Sequence, residues 1–188
     1  LKKVILPPLK VLPKNLFKGC VSLEEIIIPD TVEIIEEGCF YGCKNLKNVT
    51  FSKNLKEIGD YAFAGIPNLQ SVTIPSSVTS IGKSAFPYYN NSYDLIAPES
   101  VYISDLASWV SIDCGDEYSI RSRKLYLNNV LLTDVVIPDG VTSIRNYAFA
   151  GCSSLTSVVI PEGVTSIGSY AFSGCSSLTS VVIPEGVT

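Results

Sequence analysis

Apolar residues recur along this chain in fixed columns. The stretch Leu155–Ser177, reading LTSVVIPEGVTSIGSYAFSGCSS, is one period, and Leu178–Thr188 repeats its first eleven residues letter for letter. The same frame begins at Leu132, Leu69, Leu46 and Leu23 and, one residue short, at Leu1. A period of 23 residues predicts a solenoid in which each unit is one coil and no coil buries its apolar face alone.

Within a coil the pattern predicts three elements. The fourth and sixth columns (Val158 and Ile160, with Ile26 and Ile28, Val72 and Ile74, Val135 and Ile137) hold β-branched residues two apart, the signature of a short strand. Proline follows in most units (Pro29, Pro75, Pro138, Pro161, Pro184), and it ends the strand because it has no N–H for the ladder. A second apolar pair, as in Val164 and Ile167, predicts a second, shorter parallel strand. Tyr-Ala-Phe, as in Tyr170-Ala171-Phe172, reads as a single helical turn, closed by a left-handed glycine at Gly19, Gly42, Gly65, Gly151 and Gly174. Phe17, Phe40, Phe63, Phe86, Phe149 and Phe172 then form the spine of the core.

The register is lost between residues 87 and 131. Leu69 to Leu132 spans 63 residues, 40 more than one period. Val101–Ile103 reads as a strand, and Ser104 is placed to cap a short helix through Trp109. Leu125–Leu127, Asn128-Asn129 and Val130–Leu132 read as a hairpin, since asparagine tolerates the positive φ of a type I′ turn. The chain thus divides into regular coils over 1–86, irregular aromatic-rich coils over 87–131 that continue the stack, and regular coils over 132–188. The C-terminal edge, Val181-Val182-Ile183, carries no charge to discourage pairing, so it is expected to be covered by further repeats or by a second copy packed end to end.

Charge reinforces the stacking. Lys10, Glu33 and Lys56 share a column and alternate in sign, as do Lys2, Glu24 and Lys47, which suits parallel in-register strands about 4.8 Å apart. The net charge is only −4, with no basic run, which argues against nucleic acid or an anionic membrane as partner. No apolar run is long enough to span a bilayer. The chain contains no histidine, which removes the usual proton shuttle and the commonest metal ligand.

The pattern LxxVxIPxxVxxIGxxAFxGCxx over residues 1–86 and 132–188 resembles the BspA-like leucine-rich repeat family. The resemblance implies a right-handed solenoid, mostly β with short parallel strands and single helical turns. It also implies a secreted or surface-anchored protein, associated in several members with adhesion, and no catalytic position in the repeat.

Candidate chemistry is sparse. Cys20, Cys43, Cys152 and Cys175 share a column, which reads as buried free thiols; ladder disulfides Cys20–Cys43 and Cys152–Cys175 are the alternative. Asp139, Glu162 and Glu185 stack at a turn, and solvated acids explain them better than a calcium site. No metal or cofactor is expected. The best binding candidates are the aromatics of the irregular segment (Tyr88, Tyr89, Tyr93, Tyr102, Trp109 and Tyr118), because Tyr and Trp dominate binding hot spots. The alternative is that they fill a coil lacking the Phe spine. Thr156 and Thr179 on the outward hydroxyl face are added as contacts.

The sequence therefore reads as a non-enzymatic surface or secreted recognition module for an extracellular or host protein or glycan. The rival readings are a structural spacer and a β-solenoid polysaccharide-acting enzyme. The enzyme would need the cluster Asp113, Asp116, Glu117, Arg121 and Arg123 to converge in a pocket.

Overall fold

A computed structural model describes residues 4–89, 95–116, 118–120 and 123–187. The chain is a β-solenoid of about seven turns with little helix. The β-branched columns set its first ladder of parallel strands in three runs. Glu25–Ile27 pairs with Asn48–Thr50. Ser71–Thr73 pairs with Ser100–Ile103, which pairs with Lys124–Leu127. Asp134–Val136 pairs with Ser157–Val159 and that with Ser180–Val182. Side chains alternate as a strand demands: Ile26, Val72, Val101, Leu125, Val135 and Val158 point into the core, and their neighbours point out.

The second ladder is shorter per strand and longer in extent. Val11–Leu12, Ile34–Ile35, Glu57–Ile58, Ser80–Ile81 and Asp113–Cys114 form five parallel strands. Ser143–Ile144 and Ser166–Ile167 form a separate pair. The break between these groups is filled by the helix Leu106–Ser111, which buries Leu106, Trp109 and Val110. Its N-cap is Asp105, whose carboxylate accepts from Ser108 N–H at 2.6 Å, one residue later than the Ser104 cap expected from sequence. Both residues are capable caps; the donor that Asp105 reaches decides between them.

The Tyr-Ala-Phe segment takes the form of consecutive β-turns rather than an α-helical turn. Along residues 38–43 the N–H groups alternate in direction. Gly38, Phe40 and Gly42 donate to Asp60, Ala62 and Ala64 carbonyls of the next coil, each at 2.8 Å. Cys39, Tyr41 and Cys43 donate back three residues, to Glu36, Gly38 and Phe40. The cause is backbone handedness. Positive φ occurs at Gly42, Gly65, Gly151 and Gly174 as the glycine column predicts, and also four residues earlier at Gly38, Tyr61, Tyr147 and Tyr170. Two left-handed residues so close leave no room for an i−4 bond, and half the donors are free to knit neighbouring coils.

The Phe column is the spine. Phe17–Phe40, Phe40–Phe63 and Phe63–Phe86 stack at 5.2, 5.0 and 5.3 Å between ring centres, and Phe149–Phe172 at 5.4 Å. Phe40, Phe63, Phe86 and Phe149 are buried, and Trp109 is the buried aromatic in the interval between Phe86 and Phe149. The alternating charge column closes as paired side chains: Glu33 lies 2.8 Å from Lys56 Nζ and 3.8 Å from Lys10 Nζ.

The irregular segment enters the first ladder in register, with Val101 opposite Val72 and Leu125 opposite Val101. Asn128 and Asn129, at φ 51 and 66, turn the chain so that Val130–Leu131 runs antiparallel to Tyr126–Leu127. Both the strand and the hairpin expected from sequence are present. Tyr88–Tyr89 also pairs antiparallel with Leu95–Ile96.

Candidate recognition face

The outward face of the first ladder presents side chains in register within each of its runs. Strand alternation places Thr73, Tyr102 and Tyr126 side by side on it. The Tyr102 and Tyr126 rings stack at 4.6 Å with 16° between planes, half-buried. Beside them Lys124 Nζ meets Glu99 Oε1 at 2.7 Å, and that pairing holds the Glu99 carboxyl below its usual range and raises the Lys124 ammonium. In the third run the same positions are Val136, Val159 and Val182, in register and exposed at 67%, 41% and 55%. Asp134 accepts from the hydroxyls of Ser157, Thr133 and Thr156, which keep its carboxyl below the usual range, Ser157 most of all. This face thus offers one aromatic pair, one aliphatic row and paired charges.

The residues singled out from sequence fall in different places. Tyr102 lies on this face. Trp109 does not: it is 4% exposed, its indole N–H donates to Ala148 O at 2.9 Å, and it belongs to the core rather than to a contact surface. Tyr118 is half-buried in a loop, its N–H donating to Asp116 Oδ1 at 2.9 Å. Tyr88 and Tyr89 are placed by their backbone pairing alone, and Tyr93 lies outside the described residues. The hydroxyls of Thr156 and Thr179 donate to the carbonyls of Thr133 and Thr156, at 2.9 and 3.2 Å, and so bind the preceding coil. Sequence reasoning places Val159 and Val182 on the outward hydroxyl and methyl face and Tyr126 in the aromatic segment without choosing them as contacts, and it passes over Val136. The signal was present, since each follows a β-branched or leucine position of the inward column by one residue.

Within the acidic cluster the described carboxylate hydrogen bonds are those of Asp116. Asp116 Oδ1 accepts from Ser84 N–H, Tyr118 N–H and the Ser119 hydroxyl at 2.9–3.0 Å, and Oδ2 accepts from the Ser84 hydroxyl at 3.1 Å. It braces its loop. Asp113 and Arg123 are exposed, and Glu117 and Arg121 lie outside the described residues. Asp139, Glu162 and Glu185 are exposed on separate turns. Among the described residues no group of three or more His, Cys, Asp or Glu is placed to hold a metal. No helix among them is long and apolar enough to cross a membrane. All six cysteines are free. Cys39, Cys43 and Cys152 are buried, whereas Cys20, Cys114 and Cys175 are half-buried, more open than a wholly buried column requires.

The repeat geometry agrees with a family comparison. The model for the BspA type leucine rich repeat region matches in six copies, over residues 10–109 and 119–188. The chain belongs to the BspA-type leucine-rich repeat family. The match takes in most of the irregular segment as well as the regular coils. Among solved structures, this BspA-type chain is similar to a leucine-rich repeat protein from Bacteroides ovatus, at 26% identity and TM-score 0.61, covering 100% of this chain and 50% of that one. It also shares its fold with the pneumococcal vaccine antigen PcpA, at 23% identity and TM-score 0.51, covering 88% of this chain and 40% of that one. It therefore spans half or less of the length of either structure. No curated protein matches the BspA-type chain.

Proposed function

We propose that this chain is a non-enzymatic recognition module, on the cell surface or secreted, that binds an extracellular or host protein or glycan through the outer face of its first ladder. The observation that carries this reading is the exposed row Val136, Val159 and Val182 on the same face as the stacked Tyr102–Tyr126 pair. Exposed aliphatic side chains in register are an adhesive surface, and rigid tyrosines supply contact area at low entropic cost. Membership in a repeat family supports it, because stacked coils present broad binding faces. The use of Asp116 as a brace for its own loop, accepting from Ser84, Tyr118 and Ser119, supports it over a polysaccharide-acting enzyme.

The test is a binding screen of immobilised extracellular-matrix and serum proteins and glycans, with Tyr126→Ser and Val159→Lys as variants. Each replacement is outward-facing, so the melting temperature should stay within a few degrees while affinity for the retained partner falls about tenfold or more. Undiminished binding by both variants would move the site elsewhere on the solenoid.

A further inference from the structure

A groove of about 540 Å³ lies where the helix Leu106–Ser111 interrupts the second ladder. None of its lining residues belongs to the recognition face. Its walls are the turn at Ser76–Thr79, the helix, and the turn at Asp139–Ser143, and Val78, Ala107 and Val141 give it an apolar floor.

The groove differs from the rest of the solenoid in how its polar groups are used. In regular coils the residue in the Lys56 column donates its N–H to the same column of the preceding coil: Lys56 to Glu33 O at 2.7 Å, Thr79 to Lys56 O at 2.9 Å, Thr165 to Thr142 O at 2.8 Å. Where that residue is threonine, its hydroxyl goes to the same carbonyl, as Thr79 Oγ1 does to Lys56 O and Thr165 Oγ1 to Thr142 O. Thr142 occupies this column, but the helix stands where the preceding coil would be. Asp113 N–H takes the Thr79 carbonyl at 2.8 Å instead. The Thr142 N–H and hydroxyl are thus left on the groove, together with the hydroxyls of Ser76, Ser108 and Ser143 and the carboxylate of Asp139. Among the described residues none of these groups has a protein hydrogen-bond partner.

We propose that this groove is a saccharide-binding site for a single hexose or hexosamine unit. Four hydroxyls that both donate and accept, one backbone donor and one carboxylate match the alternating donors and acceptors of a sugar ring. The carboxylate accepts from two adjacent ring hydroxyls, and the valine and alanine floor takes the ring's C–H face. No lysine or arginine lines the groove, which disfavours a phosphate or sulfate ligand. Its volume lies within the range of about 300–1,000 Å³ of ordinary ligand sites.

Saturation-transfer NMR of the 188-residue chain with millimolar glucose, galactose, mannose and N-acetylglucosamine tests this. At least one sugar should show transfer, and Asp139→Ala and Thr142→Val should each weaken it by about tenfold, the cost of one lost polar contact. Thr165→Val removes a hydroxyl already bound to the Thr142 carbonyl and should leave sugar binding unchanged; so should Tyr126→Ser, which separates this site from the ladder face. Circular dichroism checks that the variants fold. No transfer to any of the four sugars, transfer equal in wild type and Thr142→Val, or calcium binding that alone is lost in Asp139→Ala would each overturn the proposal.

Discussion

The guanidinium carbon of Arg145 stands 4.9 Å from the centre of the Trp109 ring, and Arg145 Nε donates to the Trp109 carbonyl at 3.0 Å. Arg145 sits in a column that is glycine at Gly59, Gly82 and Gly168. A Cβ at those three positions would meet backbone nitrogen of the preceding coil at 2.7, 2.4 and 2.3 Å. At residue 145 the preceding layer is the helix, whose Val110 carbonyl takes the Arg145 N–H at 3.0 Å. A long side chain therefore fits where those three coils carry glycine, and its cation covers the one tryptophan.

This joint predicts a specific cost. Trp109→Phe keeps an aromatic ring in the core but leaves the buried Ala148 carbonyl without its indole donor, a loss of about 1–3 kcal/mol. Trp109→Ala should cost about 3–5 kcal/mol through the cavity it leaves. Urea unfolding followed by circular dichroism separates the two. Equal and negligible shifts would return Trp109 to the surface.

The Phe spine and the threonine ladder should differ in the same way. Phe63 is fully buried between Phe40 and Phe86, so Phe63→Ala should destabilise by about 3–5 kcal/mol. Thr156→Val removes one hydroxyl from a half-buried residue just before the strand Ser157–Val159 and should cost less than about 1 kcal/mol. Comparable melting shifts for the two would mean that inward and outward columns are exchanged.

Where the chain keeps its period, the columns alone distinguish inside from outside, because a parallel stack repeats every side-chain environment at the same position. The Phe spine and the Lys10–Glu33–Lys56 column were legible for that reason, and the Asn128-Asn129 turn from backbone chemistry alone. Where the period fails, composition cannot say which way an aromatic points. Trp109 and Tyr102 look alike as candidates, yet one is in the core and the other on the ladder face. The left-handed conformation of Tyr61 and Tyr147 was also hidden, since their N–H groups donate to Lys83 and Ser169 carbonyls of the next coil, a contact that residue preference does not show. The groove beside Thr142 was invisible because it depends on a carbonyl partner that the helix displaces.

Acid should weaken the fold through its charge column. The hydrogen bond from Lys56, followed by the charges of Lys56 and Lys10, holds Glu33 below its ordinary 4.5. Lys53 does the same for Asp30. The folded state thus binds these protons less tightly than the unfolded chain. Their contribution is complete above pH 4.5 and is lost as pH falls through the depressed folded-state values. Thermal melts should be flat between that range and about pH 9.0 and decline on the acid side, with a shallower acid decline in Glu33→Gln. An acid slope identical in the variant would remove this pair from the account.

The cysteines give a chemical map of the same core. Burial pushes the thiols of Cys39 and Cys152 up to about 12 and that of Cys43 to about 11, from an ordinary 9.0. Thiolate is the reactive form, so these three should resist iodoacetamide at neutral pH in the native protein. Half-buried Cys20, Cys114 and Cys175 should label first, with Cys114 and Cys175 slowed because burial raises their thiols as well. Denaturation without reductant should expose six alkylatable thiols, read as six adducts by intact mass. A mass short by two or four adducts would establish ladder disulfides, Cys20–Cys43 or Cys152–Cys175 being the in-column pairs. The sign of the alkaline effect follows from the same shifts. Above pH 9.0 the unfolded chain gives up thiol protons that the folded core retains, so stability present below 9.0 is lost progressively up to about 12. Replacing Cys39 by Ala, the residue at the equivalent position in the next two coils (Ala62 and Ala85), removes one of these thiols and should flatten that alkaline decline; an unchanged decline would assign it to other groups.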